Sequence, residues 1–150
     1  MLTDNTNYIQ RPLPITINGI LQYYDPTRLK LLSVYREKFQ FSLNHSNISG
    51  FRFLTTGQIS TNVNGYPLIR NGVITSIIAN CSKNTRANFY IRKNNNPSNL
   101  ITLSLYDQNK NSIDNLNIDF LNNDYLQCCL SVNSNFTIDY PIVLIEIAWS

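Results

Sequence analysis

Apolar and polar residues alternate over much of the chain, as half-buried strands require when successive side chains point to opposite faces. From Leu31 to Leu43 the apolar residues Leu31, Phe39, Phe41 and Leu43 hold odd positions, while Lys30, Lys38, Gln40 and Ser42 take the other face. This predicts a long strand on which a β-sheet is built. Val34 and Tyr35 interrupt the pattern ahead of Glu37, so a register shift or bulge is expected there. Later segments alternate more cleanly: Phe89 and Ile91; Ile101, Leu103 and Leu105; Leu116, Ile118 and Phe120; Leu126, Cys128, Leu130 and Val132; Val143, Ile145, Ile147 and Trp149.

Turn signals punctuate these runs. Asn18-Gly19 suits a two-residue type I′ hairpin between Ile15–Ile17 and Ile20–Tyr24. Asp25-Pro26-Thr27-Arg28 has Asp and Pro where a type I turn prefers them. Arg70-Asn71-Gly72 reads as a second Asn-Gly turn ahead of a strand from Val73 to Cys81. The stretches 93–99 and 107–112 read as Asn-rich connections, and Leu121 to Asp124 as a tight link. Eight or more strands at intervals of roughly 8 to 12 residues, with no helical apolar period, predict an all-β fold. The expected architecture is a single antiparallel β-sandwich of jelly-roll type. Thr27 to Lys38 is the best helical candidate, and its β-branched and aromatic surroundings favour strand.

Residues 1–14 are polar and end in Pro12 and Pro14, which hold the chain extended. They are expected to form an N-terminal docking arm, with Tyr8, Ile9, Arg11, Pro12 and Pro14 as its contact residues, and 15–150 the β-sandwich domain. The chain's 150 residues suit one such domain.

Composition adds constraints. Asn is the commonest residue, and it favours turns over helix interiors. The net charge of +3 comes from 12 basic and 9 acidic residues scattered singly, so the basic stripe that nucleic-acid binding needs is missing. Three cysteines, Cys81, Cys128 and Cys129, lack disulfide or zinc spacing and are expected to be buried free thiols. Met1 is followed by no basic and apolar leader pattern, and no apolar run approaches the roughly 20 residues of a membrane helix. Folding in a reducing cytoplasm is the expectation.

Catalytic chemistry finds little to work with. His45 is the only histidine, in a turn-like stretch, and no nucleophile, zinc-protease or phosphate-loop motif accompanies it. Asp114, Asp119 and Asp124 alternate with apolar residues or end strands, which fits a solvated face better than an acid/base pair. Glu146 interrupts the apolar stretch Ile142 to Trp149, and if buried it would want an arginine partner. Tyr23, Tyr24, Tyr66 and Tyr90 could stack on sugar rings, although aromatic residues are also ordinary strand formers. No enzyme, cofactor or metal is expected.

The order YDPTRLKLLSVYREKFQFSLN, GYPLIRNGVITSIIA, NFYIRKN, LNIDFLNNDYLQ and the terminal PIVLIEIAW resembles a family of bacteriophage virion proteins. These are small jelly-roll domains serving as head decoration, head-fibre or tail-fibre modules, commonly trimeric. The resemblance runs from about Tyr24 to the end, and the DPTR turn with Ser33 and Arg36, the Tyr66 to Gly72 segment and the closing strand carry it. It implies a structural virion protein, made in the host bacterial cytoplasm, whose partners are copies of itself and other virion proteins such as the major capsid protein or a fibre. The alternative is a carbohydrate-binding receptor module of a fibre, with a host surface glycan as ligand. The family brings no catalytic residues.

The closing strand adds an expectation of its own. With Val143, Ile145, Ile147 and Trp149 filling the core, Ile142, Leu144 and Ala148 are left on the other face, and Ile74, Ile78 and Cys129 show the same excess on neighbouring strands. Monomers seldom leave a large contiguous apolar patch uncovered, so these six residues are expected to line a homotrimer interface.

Overall fold

A computed structural model describes residues 13–57 and 59–150, apart from the side chain of Ile59. Arm residues Tyr8, Ile9, Arg11 and Pro12 lie outside the described residues; Pro14 is exposed just ahead of the first strand. The described chain is all-β. Its strands are β1 (Ile15–Ile17), β2 (Ile20–Asp25), β3 (Lys30–Ser33), β4 (Glu37–Ser42), β5 (Phe51–Phe53), β6 (Thr55–Thr56), β7 (Ile59–Ser60), β8 (Tyr66–Pro67), β9 (Gly72–Lys93), β10 (Ile101–Ile113), β11 (Ile118–Phe120), β12 (Tyr125–Val132) and β13 (Ile142–Trp149). Strands β1 to β3 make a small antiparallel sheet, and the remaining ten make a large one.

The large sheet is built on β9, a strand of 22 residues, and not on the segment around Leu31 to Leu43. Its first half pairs with β13, from Gly72↔Trp149 to Asn80↔Ile142. Its second half pairs with β12, from Ala87↔Val132 to Lys93↔Leu126. Along its other edge run β10 and β11. From β13 the sheet continues through β4 to β6, and from β12 to β5. Because β5 and β6 are separated only by Leu54, the two ends of the sheet meet there. Leu54 is fully buried, its amide donates to the Cys128 carbonyl at 2.9 Å, and Thr55 Oγ1 donates to the Ser42 carbonyl at 2.9 Å. The result is a nearly closed, barrel-like sheet around one core containing Phe41, Ile77, Phe89, Leu103, Leu130 and Ile145.

Several expectations change in the structure. Sequence 31–43 is two strands in different sheets, since the chain crosses from the small sheet to the large one between β3 and β4. Leu31 is exposed and Leu32 buried. The two strands expected at Val73 to Cys81 and Ala87 to Lys93 are one, and β10 runs through the expected loop at 107–112. Asn71-Gly72 is not a left-handed turn; Gly72 opens β9 directly. There its missing side chain matters, because a Cβ would lie 2.6 Å from the Phe120 ring.

Other turns follow the sequence. Asn18 and Gly19 both have positive φ, 48° and 77°, as a type I′ hairpin needs. Asp25 caps its turn by accepting from the Thr27 and Arg28 amides at 2.9 and 3.1 Å. Seven of the ten described non-glycine residues with positive φ are asparagines, so the Asn-rich composition serves the left-handed positions that the hairpins demand. All three cysteines are free and buried, and burial raises each thiol above its ordinary value of 9.0, Cys128 well above.

Candidate functional site

On the outer face of the first half of β9, cross-strand rows place side chains of four strands beside one another. One row is Gln40, Leu144, Ile78 and Ser112; the next on one side is Ser42, Ile142 and Asn80. On the other side, Lys38, Glu146 and Ser76 continue the array. Ile78 is 37% and Leu144 38% exposed, with Ile142 half-buried beside them. They form an apolar stripe with a polar border. A depression of about 220 Å³ opens at its charged end between Leu144, Ile78, Lys38, Glu146 and Asp114.

Only these three of the six expected interface residues reach the surface. Ile74, Cys129 and Ala148 are fully buried inside the chain, which corrects the expectation that another subunit must cover them. Ile74 turns inward because of a bulge. Ile147 pairs with Ile74 and Glu146 with Ser76, leaving Thr75 as the extra residue, and beyond it the inward parity of β9 reverses. Val73 is thereby turned outward opposite Ala148, and both pack against Leu32 of the small sheet. Cys129 lies between Tyr90 and Phe53 across the ladder, and this chain's own side chains close over it.

Arg28 and Ser33 tie the small sheet to the rest of the chain, and Arg36 fastens the link between β3 and β4 onto the small sheet. Arg28 pairs with Asp25 at 2.7 Å and donates from Nε to the Leu116 carbonyl at 2.6 Å. Ser33 Oγ accepts from the Trp149 amide at 3.0 Å and donates to the Tyr35 carbonyl at 2.8 Å. Arg36 donates to the Ser33 carbonyl at 2.9 Å and to the Tyr23 hydroxyl at 2.6 Å. These residues act as a brace.

The candidate carboxylates stay apart. Asp119 pairs with Lys30 at 2.5 Å, and Asp114 is exposed. Among the described residues Glu146 has no arginine partner; it accepts from Thr75 Oγ1 at 2.8 Å and lies 3.8 Å from Lys38. His45 is exposed in its loop. The four tyrosines are likewise not brought together: Tyr66 stacks on Phe39 with centroids 4.1 Å apart, Tyr23 is engaged by Arg36, and Tyr24 and Tyr90 stand on different sheets.

Asp124 is a structural cap. It accepts from the Leu121 amide at 2.8 Å and Asn94 Nδ2 at 2.6 Å, and pairs with Lys93 at 3.1 Å. Burial opposes its ionisation, but these partners together hold the carboxyl below its ordinary 3.8. Since the folded value lies below the unfolded one, the stabilisation is complete above about pH 4 and is lost as pH falls through the folded value. Asp124→Asn is expected to cost about 1–3 kcal/mol at pH 7. In denaturant melts the gap from the wild type should narrow as pH falls below the ordinary carboxylate value and through the lowered folded one; a gap independent of pH would contradict the assignment.

No protein-family model matches the chain, and no curated protein does. Among solved structures, a crystal structure of FLHE is similar, with a TM-score of 0.40 and 12% identity over 74% of this chain and 96% of that one. A likeness that slight fixes neither fold family nor function.

Proposed function

We propose that the chain is a structural virion protein of a bacteriophage that assembles with copies of itself, as a homotrimer, through the outer face of β4, β13, β9 and β10. The observation that carries this reading is the exposed stripe of Ile78, Leu144 and Ile142 across adjacent strands. Interfaces place an apolar centre inside a polar rim, and here Gln40, Ser42, Asn80 and Ser112 supply the rim. The charges at its end, Lys38 against Glu146 and Asp114, favour a second copy as the occupant, because a patch carrying both signs can complement itself. The sequence resemblance to phage head and fibre modules supports the same reading.

The finer fold assignment, a jelly-roll sandwich with an extended arm over residues 1–14, belongs to this proposal. The arm docks the assembly on a capsid or fibre protein. A chain lacking residues 1–14 is expected to keep its melting temperature and its oligomeric mass, yet fail to load onto phage particles made without the protein. Full loading by the truncated chain would contradict the docking role.

A further inference from the structure

The outer face of the other half of β9 carries a different surface. Strands β10, β9, β12 and β5 lie side by side there, and their core residues, Leu103, Phe89 and Leu130 among them, point inward. The outward rows are Thr102, Tyr90, Cys129 and Phe53, and then Ser104, Asn88, Ser131 and Phe51. Tyr106 and Arg86 continue the array.

Two of the rings are exposed yet held in place. Tyr106 is 67% exposed, with the Arg86 guanidinium 4.2 Å from its ring centroid. Arg86 is itself fixed by two hydrogen bonds to Asp107, at 2.8 and 2.6 Å. Asp107 adopts φ 53° beside a register shift of β10, which aims its carboxylate back along the strand at Arg86. On the far side Phe51 is 43% exposed, set edge-on to Phe53 at 5.3 Å, with Arg92 5.5 Å from its centroid. Arg92 is oriented by Asn99 Oδ1 at 2.9 Å. Between the two stacks lies a polar strip in which Ser104 Oγ donates to Asn88 Oδ1 at 2.6 Å, with Ser131 alongside. Since β10 and β5 are three strand spacings apart, the stacks stand ~14 Å from each other.

We propose that this face is a binding platform for a linear neutral oligosaccharide. A protein partner would want a continuous exposed apolar centre, whereas here the polar strip of Ser104, Asn88 and Ser131 separates the exposed Tyr106 and Phe51 rings, and Tyr90, Cys129 and Phe53 in the neighbouring row are buried or half-buried. A chain of sugars matches that order, because each ring offers an apolar face of C–H groups to stack and an edge of hydroxyls to hydrogen-bond. Pre-fixed rings also lose little freedom on binding, which favours affinity. The charge of Arg86 is offset by Asp107, and Arg92, with no carboxylate partner among the described residues, is turned onto the Phe51 ring and Asn99 Oδ1, so neither guanidinium is presented as a clamp for an anion. This site is separate from the Ile78–Leu144 stripe and does not depend on it.

The test is a printed array of maltohexaose, cellohexaose and chitohexaose, followed by titration of whichever is bound. The wild type should bind at least one, and Tyr106→Ala and Phe51→Ala should each weaken binding about tenfold. Tyr106→Phe should retain it, and Leu144→Asp should leave it unchanged. Circular dichroism confirms folding of each variant. Binding to none of the three, or undiminished binding by both alanine variants, would overturn the proposal. A shift of oligomeric mass caused by Tyr106→Ala would also overturn it, by making the face a contact between copies.

Discussion

Truncation of Phe89 to alanine is expected to destabilise the domain by about 3–5 kcal/mol, read as a lowered denaturant midpoint with an unchanged slope. Phe89 is fully buried on the second half of β9, opposite Leu130 on one edge and Leu103 on the other. The cost combines the lost transfer free energy of the ring with a cavity that the flanking strands cannot close, because both are tied to β9 by continuous ladders. A domain of this size is typically stable by only about 5–15 kcal/mol, so a substantial unfolded fraction at elevated temperature should follow. A loss below about 1 kcal/mol would mean that the core is not centred on β9.

Leu144→Asp should act in the opposite way, on assembly and not on the fold. Leu144 is exposed in the single chain, so the substitution costs the isolated domain no more than about 1 kcal/mol of strand preference. In the assembled state it would bury a carboxylate beside Ile78 and Ile142, at about 3 kcal/mol or more per subunit if unpaired. Native mass spectrometry should therefore find folded monomer where the wild type is oligomeric. A fully assembled Leu144→Asp protein would exclude this face as the contact. A variant that unfolds would show that Leu144 belongs to the core of the single chain.

Much of the fold was legible because strand periodicity is local. Phe89 and Ile91, Leu103 and Leu105, Leu126 to Val132 and Val143 to Ile147 all face the core as their alternation predicts. The continuity of β9 was not legible in this way, since the segment reads as two strands; in the structure Ile77, Ala79, Cys81, Thr85, Ala87, Phe89 and Ile91 are all odd and all buried, so the same parity resumes after the polar stretch 82–84. Thr85, buried with its hydroxyl donating to the Thr137 carbonyl at 2.8 Å, is the polar member that disguises the run as two strands.

The misreadings share a physical cause. A bulge adds one residue without a strong sequence mark, and Thr75 in a β-branched run gives none, so Ile74 was assigned to the wrong face. Nor could parity show what covers an outward residue. Ala148 is closed off by Leu32, 116 residues away in sequence, and Cys129 by side chains of its own sheet. The platform around Tyr106 and Phe51 depends on pairing four strands in one register, together with a left-handed Asp107, and neither is encoded in any short motif. The brace residues Arg28, Ser33 and Arg36 were visible in the sequence, but only the tertiary fold gives them their task.

Sedimentation equilibrium of the wild-type chain over a wide concentration range tests self-assembly most directly. The account predicts a mass of three copies of the 17.3 kDa chain at concentrations where the Ile78→Asp and Leu144→Asp variants sediment as one. A wild-type protein that stays at the mass of a single chain throughout would contradict it.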